Sequence, residues 1–172
     1  MKKLIPGLFI ALLFVAASCK KNSATGSNNC NQTLSTIVAP LAEQQALQDS
    51  LTAHGIQATK APSGFFYTIN KPGNGDSISS PCSTIAVFYR GGFFNGKGFD
   101  STSTNPAVFQ LWQVIPGWQK AIPLIKKTGD ISLYIPPSLG YGSKDVANPS
   151  TGQVIIPANS NLIFRVVIED VQ

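Results

Sequence analysis

Short apolar segments that alternate with polar residues, each ended by glycine or proline, fill the chain from residue 64 onward and favour a β-rich fold. In the final segment Leu162, Phe164, Val166 and Ile168 alternate with other side chains, the pattern of a strand with one buried face. A hairpin is predicted at Asn95-Gly96, between the phenylalanines at 93–94 and 99. The other predicted strands cover residues 65–69, 84–90, 108–111 and 131–135.

Two helices are predicted. The first covers residues 39–53, where Leu47 and Leu51 fall near one face, and it precedes the strands. The second covers residues 116–127, with Pro123 inside or near it. One helix packed on an antiparallel sheet defines the α+β class.

The N-terminus has the pattern of a targeting segment. Lys2 and Lys3 precede an apolar run over residues 4–16, which is shorter than the roughly 20 residues of a membrane span. The small residues that end in Cys19 resemble a bacterial lipobox, and Ser-Cys-Lys-Lys-Asn resembles the start of Bacteroidetes lipoproteins. An ordinary secretory signal with a chance cysteine is the alternative.

We therefore expect four parts along the chain. They are a signal peptide over residues 1–18, a tether over 19–37 anchored by lipid at Cys19, a helical extension over 38–63 and a folded domain over 64–172. The protein would face the periplasm from either the inner or the outer membrane.

Two further cysteines, Cys30 and Cys82, remain after the predicted cleavage. An oxidising compartment makes a disulfide between them plausible, worth at most about 4 kcal/mol in the chain-entropy account, and two unrelated thiols are the alternative.

No metal site is predicted, because the one histidine, His54, has no ligand cluster around it. The formal charge of +5 includes the two leader lysines, and no basic stripe interleaved with aromatics supports nucleic-acid binding.

Three stretches in order resemble the FKBP-type peptidyl-prolyl cis-trans isomerases over roughly residues 64–172. The first is Val-Phe-Tyr-Arg-Gly-Gly at 87–92 with Gly-Phe-Asp-Ser at 98–101. The second is Phe-Gln-Leu at 109–111 with Val-Ile-Pro-Gly-Trp at 114–118. The third is Leu-Tyr-Ile-Pro-Pro at 133–137 with Leu-Gly-Tyr-Gly at 139–142, and it closes with Ile-Ile-Pro-Ala-Asn-Ser at 155–160 and Leu-Ile-Phe at 162–164. The stretch 143–154 is longer than is usual in that family, with residues 148–152 as its predicted tip.

The resemblance implies a sheet of five to six antiparallel strands wrapped around one short helix, with a pocket between them. Trp118 would form the pocket floor, Asp100 would accept a hydrogen bond at the rim, and the Ile115 N–H and Tyr141 hydroxyl would donate to the bound peptide. The full implied set is Tyr89, Asp100, Ile115, Trp118 and Tyr141 for catalysis, and Phe99, Phe109, Val114, Ile155, Ile156 and Phe164 for substrate binding.

The implied activity is rotation about X–Pro bonds of unfolded or exported proteins, with macrolides as candidate inhibitors. Rotation makes no covalent bond, so no cofactor, metal or nucleophile is expected. The alternative is a module that holds proline segments as a chaperone or scaffold and turns them over poorly. The helix over 39–53 bears on that choice, since it would be either a dimer or client surface or a structural element.

Overall fold

The computed structural model describes residues 30–172. The predicted signal peptide, the predicted lipidation site Cys19 and the first part of the predicted tether lie outside these residues. Among the described residues, no helix is both long and apolar enough to cross a membrane.

An antiparallel sheet forms the body of the protein, which confirms the predicted fold class. The strands of the described residues are β1 (Thr59–Lys60), β2 (Phe66–Lys71), β3 (Thr84–Gly92), β4 (Gly98–Ser101), β5 (Ala107–Gln110), β6 (Asp130–Ile135), β7 (Val146–Ala147), β8 (Val154–Ile156) and β9 (Leu162–Val171). The order in the main sheet is β1-β2-β6-β9-β3-β4, and β5 pairs with the other half of the same edge of β3, so this sheet is six positions wide.

Helix α2 (Pro116–Ala121) packs on the inner face of this sheet. Gly117 allows the close approach, because a Cβ there would lie 2.8 Å from side-chain carbons of Ile135. The inner face buries alternate residues of the strands, among them Val87, Leu133 and Val166. This alternation is the pattern that the sequence showed.

Helix α2 is shorter than predicted, and the second half of the predicted 116–127 helix is wrong. The α-helix ends at Ala121, and Ile122–Leu124 continues as a 3-10 turn. Pro123 accounts for the change, because its nitrogen has no hydrogen for an α-helical bond and its ring clashes with the preceding turn.

Helix α1 (Leu41–Ala53) covers the outer face of the same sheet. Leu47 and Leu51 are fully buried against Phe66 and Tyr134, which alternate with inner-face residues of β2 and β6. Strand β1 lies between α1 and β2, so the sheet begins before residue 64. The predicted extension is therefore packed into the fold.

Residues 30–40, which we call the N-terminal strap, join α1 to the rest of the fold. Cys30 forms a disulfide with Cys82, with 5.8 Å between their Cα atoms. The Ala39 N–H donates to the Ser63 carbonyl, and Leu34 packs against the inner core. The strap is thus fixed at several points along its length.

The long stretch 143–154 lies in the hairpin of β7 and β8, which pairs apart from the main sheet. The predicted tip forms its turn, where the Asn148 carboxamide oxygen accepts the N–H groups of Ser150 and Thr151 at 2.8 and 3.2 Å. The extra length is therefore ordered by local hydrogen bonds.

Candidate active site

Four aromatic side chains form an open box between α2 and the inner face of the sheet. Trp118 is only 4% exposed and lies at the bottom. Tyr89 and Phe164 each stand edge-on to it, with ring centroids 5.3 Å away, and Phe109 stands edge-on at 6.2 Å. Perpendicular rings are a favourable aromatic geometry, and here they leave an apolar hollow above the indole.

Each wall of the box comes from a different element. Tyr89 lies on β3, Phe109 on β5 and Phe164 on β9, while Trp118 lies in the first turn of α2. Gly91 makes room for Phe164, since a Cβ there would lie 2.6 Å from its ring and 2.7 Å from the ring of Phe99. A side chain at 91 would therefore displace the wall.

The rim of the box is polar. The Tyr89 hydroxyl donates to Asp100 Oδ2 at 2.6 Å. Burial, followed by the hydrogen bond to and the charge of Asp100, raises the pKa of Tyr89 above its ordinary range. Burial and the charge of Asp100 also raise the pKa of Tyr141, whose side chain is 42% exposed. Both hydroxyls therefore remain protonated donors at neutral pH.

The pocket has a volume of about 250 Å³, small enough to select one compact group. The structure brings together eight of the residues implied by the family resemblance and adds Gln113, for which the sequence carried no signal. The lining residues are Tyr89, Asp100, Phe109, Gln113, Val114, Ile115, Trp118, Tyr141 and Phe164.

Three residues of the implied set lie elsewhere. Phe99 packs behind the wall, with its ring centroid 5.5 Å from that of Phe164. Ile156 is 3% exposed in the β7–β8 hairpin, paired with Val146. Ile155 lines a larger hollow of about 450 Å³ beside Phe93 and Phe94. Only Ile155 of the implied set lines that hollow, whereas eight of the implied residues line the smaller pocket, which is therefore the better candidate site.

Buried Gln119 lies next to the floor residue and was missed by sequence reasoning. Its Nε2 donates to the carbonyls of Trp112 and Val114 at 3.0 and 2.8 Å, while its Oε1 accepts the Ser35 N–H at 2.7 Å. A single glutamine in a helix carries no sequence signal for such a network.

The pocket offers aromatic surface, hydroxyl and amide donors and one carboxylate. Within residues 30–172, the Ile115 N–H is paired with no acceptor and so is available to a ligand. The same residues contain no group of three histidine, cysteine or acidic side chains placed to hold a metal. The set is suited to gripping a small apolar ring and binding the carbonyls beside it.

An antiparallel sheet with a small aromatic pocket beneath one short helix defines a structural class, and comparison with known proteins identifies the family. The family model described as FKBP-type peptidyl-prolyl cis-trans isomerase matches residues 75–169. The chain belongs to the FKBP-type peptidyl-prolyl cis-trans isomerase family.

Curated relatives agree. The FKBP-type peptidyl-prolyl cis-trans isomerase FkpA of Buchnera aphidicola (Schizaphis graminum) is 41% identical over 116 residues, 66% of this chain and 43% of the relative. FkpA of Escherichia coli K12 is 39% identical over 111 residues, 63% of this chain and 38% of the relative. The outer membrane protein MIP of Legionella longbeachae is 36% identical over 107 residues, 61% and 43% of the two chains. The match spans less than half the length of these relatives.

Solved structures share the fold. The crystal structure of Escherichia coli FkpA matches with a TM-score of 0.64 and 32% identity, over 76% of this chain and 60% of that one. A peptidyl-prolyl cis-trans isomerase of Pseudomonas syringae matches with a TM-score of 0.63 and 26% identity, over 78% and 97% of the two chains.

Proposed function

We propose that this protein catalyses cis–trans isomerisation of X–Pro peptide bonds in the aromatic pocket. The observation that supports this most is the position of Trp118 beneath three edge-on aromatic rings. A pyrrolidine ring is compact and apolar, and it would fill the hollow above the indole without bringing an unpaired polar group of its own into it. Membership of the family supports the same activity.

The pocket would lower the barrier through its polarity. Rotation about the amide bond crosses a barrier of about 18–20 kcal/mol, because resonance is lost in the twisted state. Resonance also places partial negative charge on the carbonyl oxygen, and the twisted amide carries less of it. A dry aromatic pocket therefore disfavours the planar amide more than the twisted one. A lowering of about 7 kcal/mol would correspond to a rate increase of about 10⁵-fold.

The polar groups would position the peptide. The unpaired Ile115 N–H and the Tyr141 hydroxyl are donors for the peptide carbonyls that flank the proline. Asp100 would hold Tyr89 and set the local field, with no part in proton transfer, since no bond to hydrogen changes during rotation. These roles remain proposals for Tyr89, Asp100, Ile115, Trp118 and Tyr141.

The test is a prolyl isomerisation assay on the full chain in detergent, using proline tetrapeptides that differ in the residue before proline. We expect acceleration over the uncatalysed rate, and a large loss in Asp100→Val. The matched control is Asp76→Val, which removes an equal charge from an exposed position outside the pocket. No acceleration by folded protein would refute the activity, and equal losses in both variants would refute the site.

A binding module that holds proline segments without rapid turnover is the second candidate. The observation that favours it is the exposure of Ile37 and Val38 at the end of the strap and of Leu41 at the start of α1, which are 46%, 59% and 80% exposed. The test is whether the protein suppresses aggregation of a client protein. Suppression should survive Asp100→Val and should be lost when these three residues are replaced by serine. Burial of Leu47 and Leu51 argues that the rest of α1 is structural.

We further propose that the chain is a lipoprotein anchored at Cys19 and facing the periplasm, where it meets unfolded or exported proteins. The lipobox-like sequence before Cys19 supports this, and one relative is named an outer membrane protein. Radiolabelled palmitate should enter the wild-type chain and not Cys19→Ser. Membrane fractionation would distinguish the inner from the outer membrane.

We also propose that the pocket binds macrolide inhibitors. Competition between a macrolide and a proline tetrapeptide in the isomerisation assay would test this.

A further inference from the structure

The pocket wall that carries Val114 and Ile115 has few backbone partners of its own. It follows a 3-10 turn, Leu111–Gln113, and ends where α2 begins. Both residues are extended, with ψ of 167° and 150°. Within residues 30–172, neither N–H is paired with an acceptor. The side chains of both residues pack against the inner core, and the hydrogen bonds that hold this wall are made through its carbonyls.

Gln119 supplies that support. Its Nε2 has two hydrogens, and both are used, toward the Trp112 and Val114 carbonyls at 3.0 and 2.8 Å. Its Oε1 accepts the Ser35 N–H at 2.7 Å. The opposite orientation of the carboxamide would face an oxygen toward two carbonyl oxygens, so the three bonds fix it. The side chain is 7% exposed, which makes each unmade bond costly.

The far end of this connection is the N-terminal strap, which is fixed independently. Lys120 Nζ donates to the Ser35 carbonyl at 2.6 Å, and the Cys30–Cys82 disulfide holds the start of the strap. The segment around Cys82 also reaches the pocket wall, because the Trp112 N–H donates to the Pro81 carbonyl at 2.9 Å. Strap and wall are therefore parts of one bonded unit.

We propose that Gln119 is a positioning residue that fixes the Val114–Ile115 wall against the N-terminal strap and thereby sets how tightly the pocket binds its peptide. The inference rests on the proposed isomerase activity for its kinetic consequence. Its structural part, that Gln119 restrains the wall, can be measured without any activity.

The main variant is Gln119→Glu in the full chain in detergent. It keeps an acceptor for the Ser35 N–H and replaces both donors with an oxygen that faces two carbonyls. We expect KM for a proline tetrapeptide to rise roughly three- to tenfold, because a change of this size corresponds to the loss of about one hydrogen bond. The kcat should stay within about twofold of the wild-type value. The matched control is Gln45→Glu, on the exposed side of α1, which makes the same chemical change and should alter neither KM nor kcat.

Two more variants separate the ends of the connection. Ser35→Pro deletes the N–H that reaches Gln119, and we expect a smaller rise in KM. It also removes the hydroxyl that accepts the Ile37 N–H at 3.3 Å, so Ser35→Ala, which removes that hydroxyl and keeps the N–H, is its control. Gln119→Met removes all three hydrogen bonds of the side chain without adding a charge. It decides the question if Gln119→Glu fails to fold. Unchanged KM in folded Gln119→Glu or Gln119→Met would overturn the proposal.

Hydrogen exchange provides the reading that is independent of catalysis. The useful amides are the bonded ones that flank the wall: Leu111 and Trp112 donate to carbonyls of the segment around Cys82, and Trp118 donates to the Ile115 carbonyl. They should exchange faster in Gln119→Glu than in wild type, while the amides of β1 and β2 stay unchanged. If the wild-type chain shows no isomerase activity, the proposed function fails, and the exchange result alone decides the inference. Equal exchange of the Leu111, Trp112 and Trp118 amides in both proteins would overturn it.

Discussion

The two faces of the sheet carry similar aromatic clusters and end in opposite states. On the outer face, Phe66 and Tyr134 are completed by Leu47 and Leu51 of α1, and the cluster is closed. On the inner face, the rings around Trp118 are left uncovered beyond the short helix α2, and a pocket of about 250 Å³ remains. The same kind of side chain is therefore core in one place and a binding surface in the other, depending on whether a helix fills the space above it.

The faces also differ in their polar groups. In the closed cluster the polar hydroxyl belongs to Tyr134, which is 8% exposed, whereas the open cluster has the bonded pair Tyr89 and Asp100 at its rim. Where α1 does not cover the outer face, Arg165 and Asp130 occupy it as a hydrogen-bonded ion pair. Uncovered sheet is thus either polar or, at the pocket, apolar with a polar border.

The largest expected effect is on the closed face. Leu47→Ala should lower the free energy of unfolding by about 2–5 kcal/mol, because it leaves a cavity under α1. The kcat/KM of the folded fraction should not change. Leu41→Ala is the matched control, since Leu41 on the same helix is 80% exposed and should cost little. Denaturant unfolding measures the stability, and a parallel loss of kcat/KM would show that the two faces are not independent.

The next effect belongs to the open face. Tyr89→Phe removes the donor to Asp100 and should lower kcat/KM about tenfold, since a hydrogen bond to a charged group is lost. Stability should change little, because the ring stays in place. Tyr67→Phe, on the inner core but outside the pocket lining, is the control for loss of a hydroxyl. Full activity in Tyr89→Phe would show that the polar rim is dispensable.

A smaller effect should appear where α1 reaches the pocket side. The Glu43 carboxylate accepts the Ser138 N–H at 2.9 Å, and Ser138 lies three residues before the pocket residue Tyr141. Glu43→Ala should lower stability by about 1 kcal/mol and weaken substrate binding about twofold to threefold. Asp49→Ala on the same helix should do neither. If Glu43→Ala changes stability alone, α1 serves only the closed face.

The smallest effect concerns the uncovered polar region. The hydrogen bond from Arg165 holds the pKa of Asp130 below its ordinary value. A lowered carboxyl pKa contributes stability above the unfolded value, and this is lost as pH falls through the folded value. Arg165→Met should therefore lower Tm by at most about 3 °C at pH 7. The difference should begin to shrink as pH falls to about 4 and should vanish only below the lowered folded pKa of Asp130. A difference that persists at low pH would indicate lost packing of the arginine stem.

Local patterns predicted much of the fold, and long-range contacts were hidden from them. The alternation of Leu162, Phe164, Val166 and Ile168 records one buried face directly, so β9 could be read from the sequence. The end of α2 at Ala121 could not, because a proline is compatible with either a kink or a change to a 3-10 turn.

The site divides in the same way. Tyr89 and Trp118 were found through motifs of the family, and the structure places them together. Ile155 belongs to similar motif positions but lies in another hollow, beside the β7–β8 hairpin. Gln119 escaped notice because its partners are Ser35, which is distant in sequence, and two backbone carbonyls, which have no sequence identity.

The enclosure of Trp118 gives the protein an internal optical reporter. The chain has two tryptophans, and Trp112 is partly exposed while Trp118 is 4% exposed within a cage of aromatic edges. The emission of the enclosed indole should lie at shorter wavelength than that of Trp112. A ligand that enters the pocket would touch only the enclosed indole. In a Trp112→Phe background, the fluorescence of a single residue would follow occupancy of the pocket without any label.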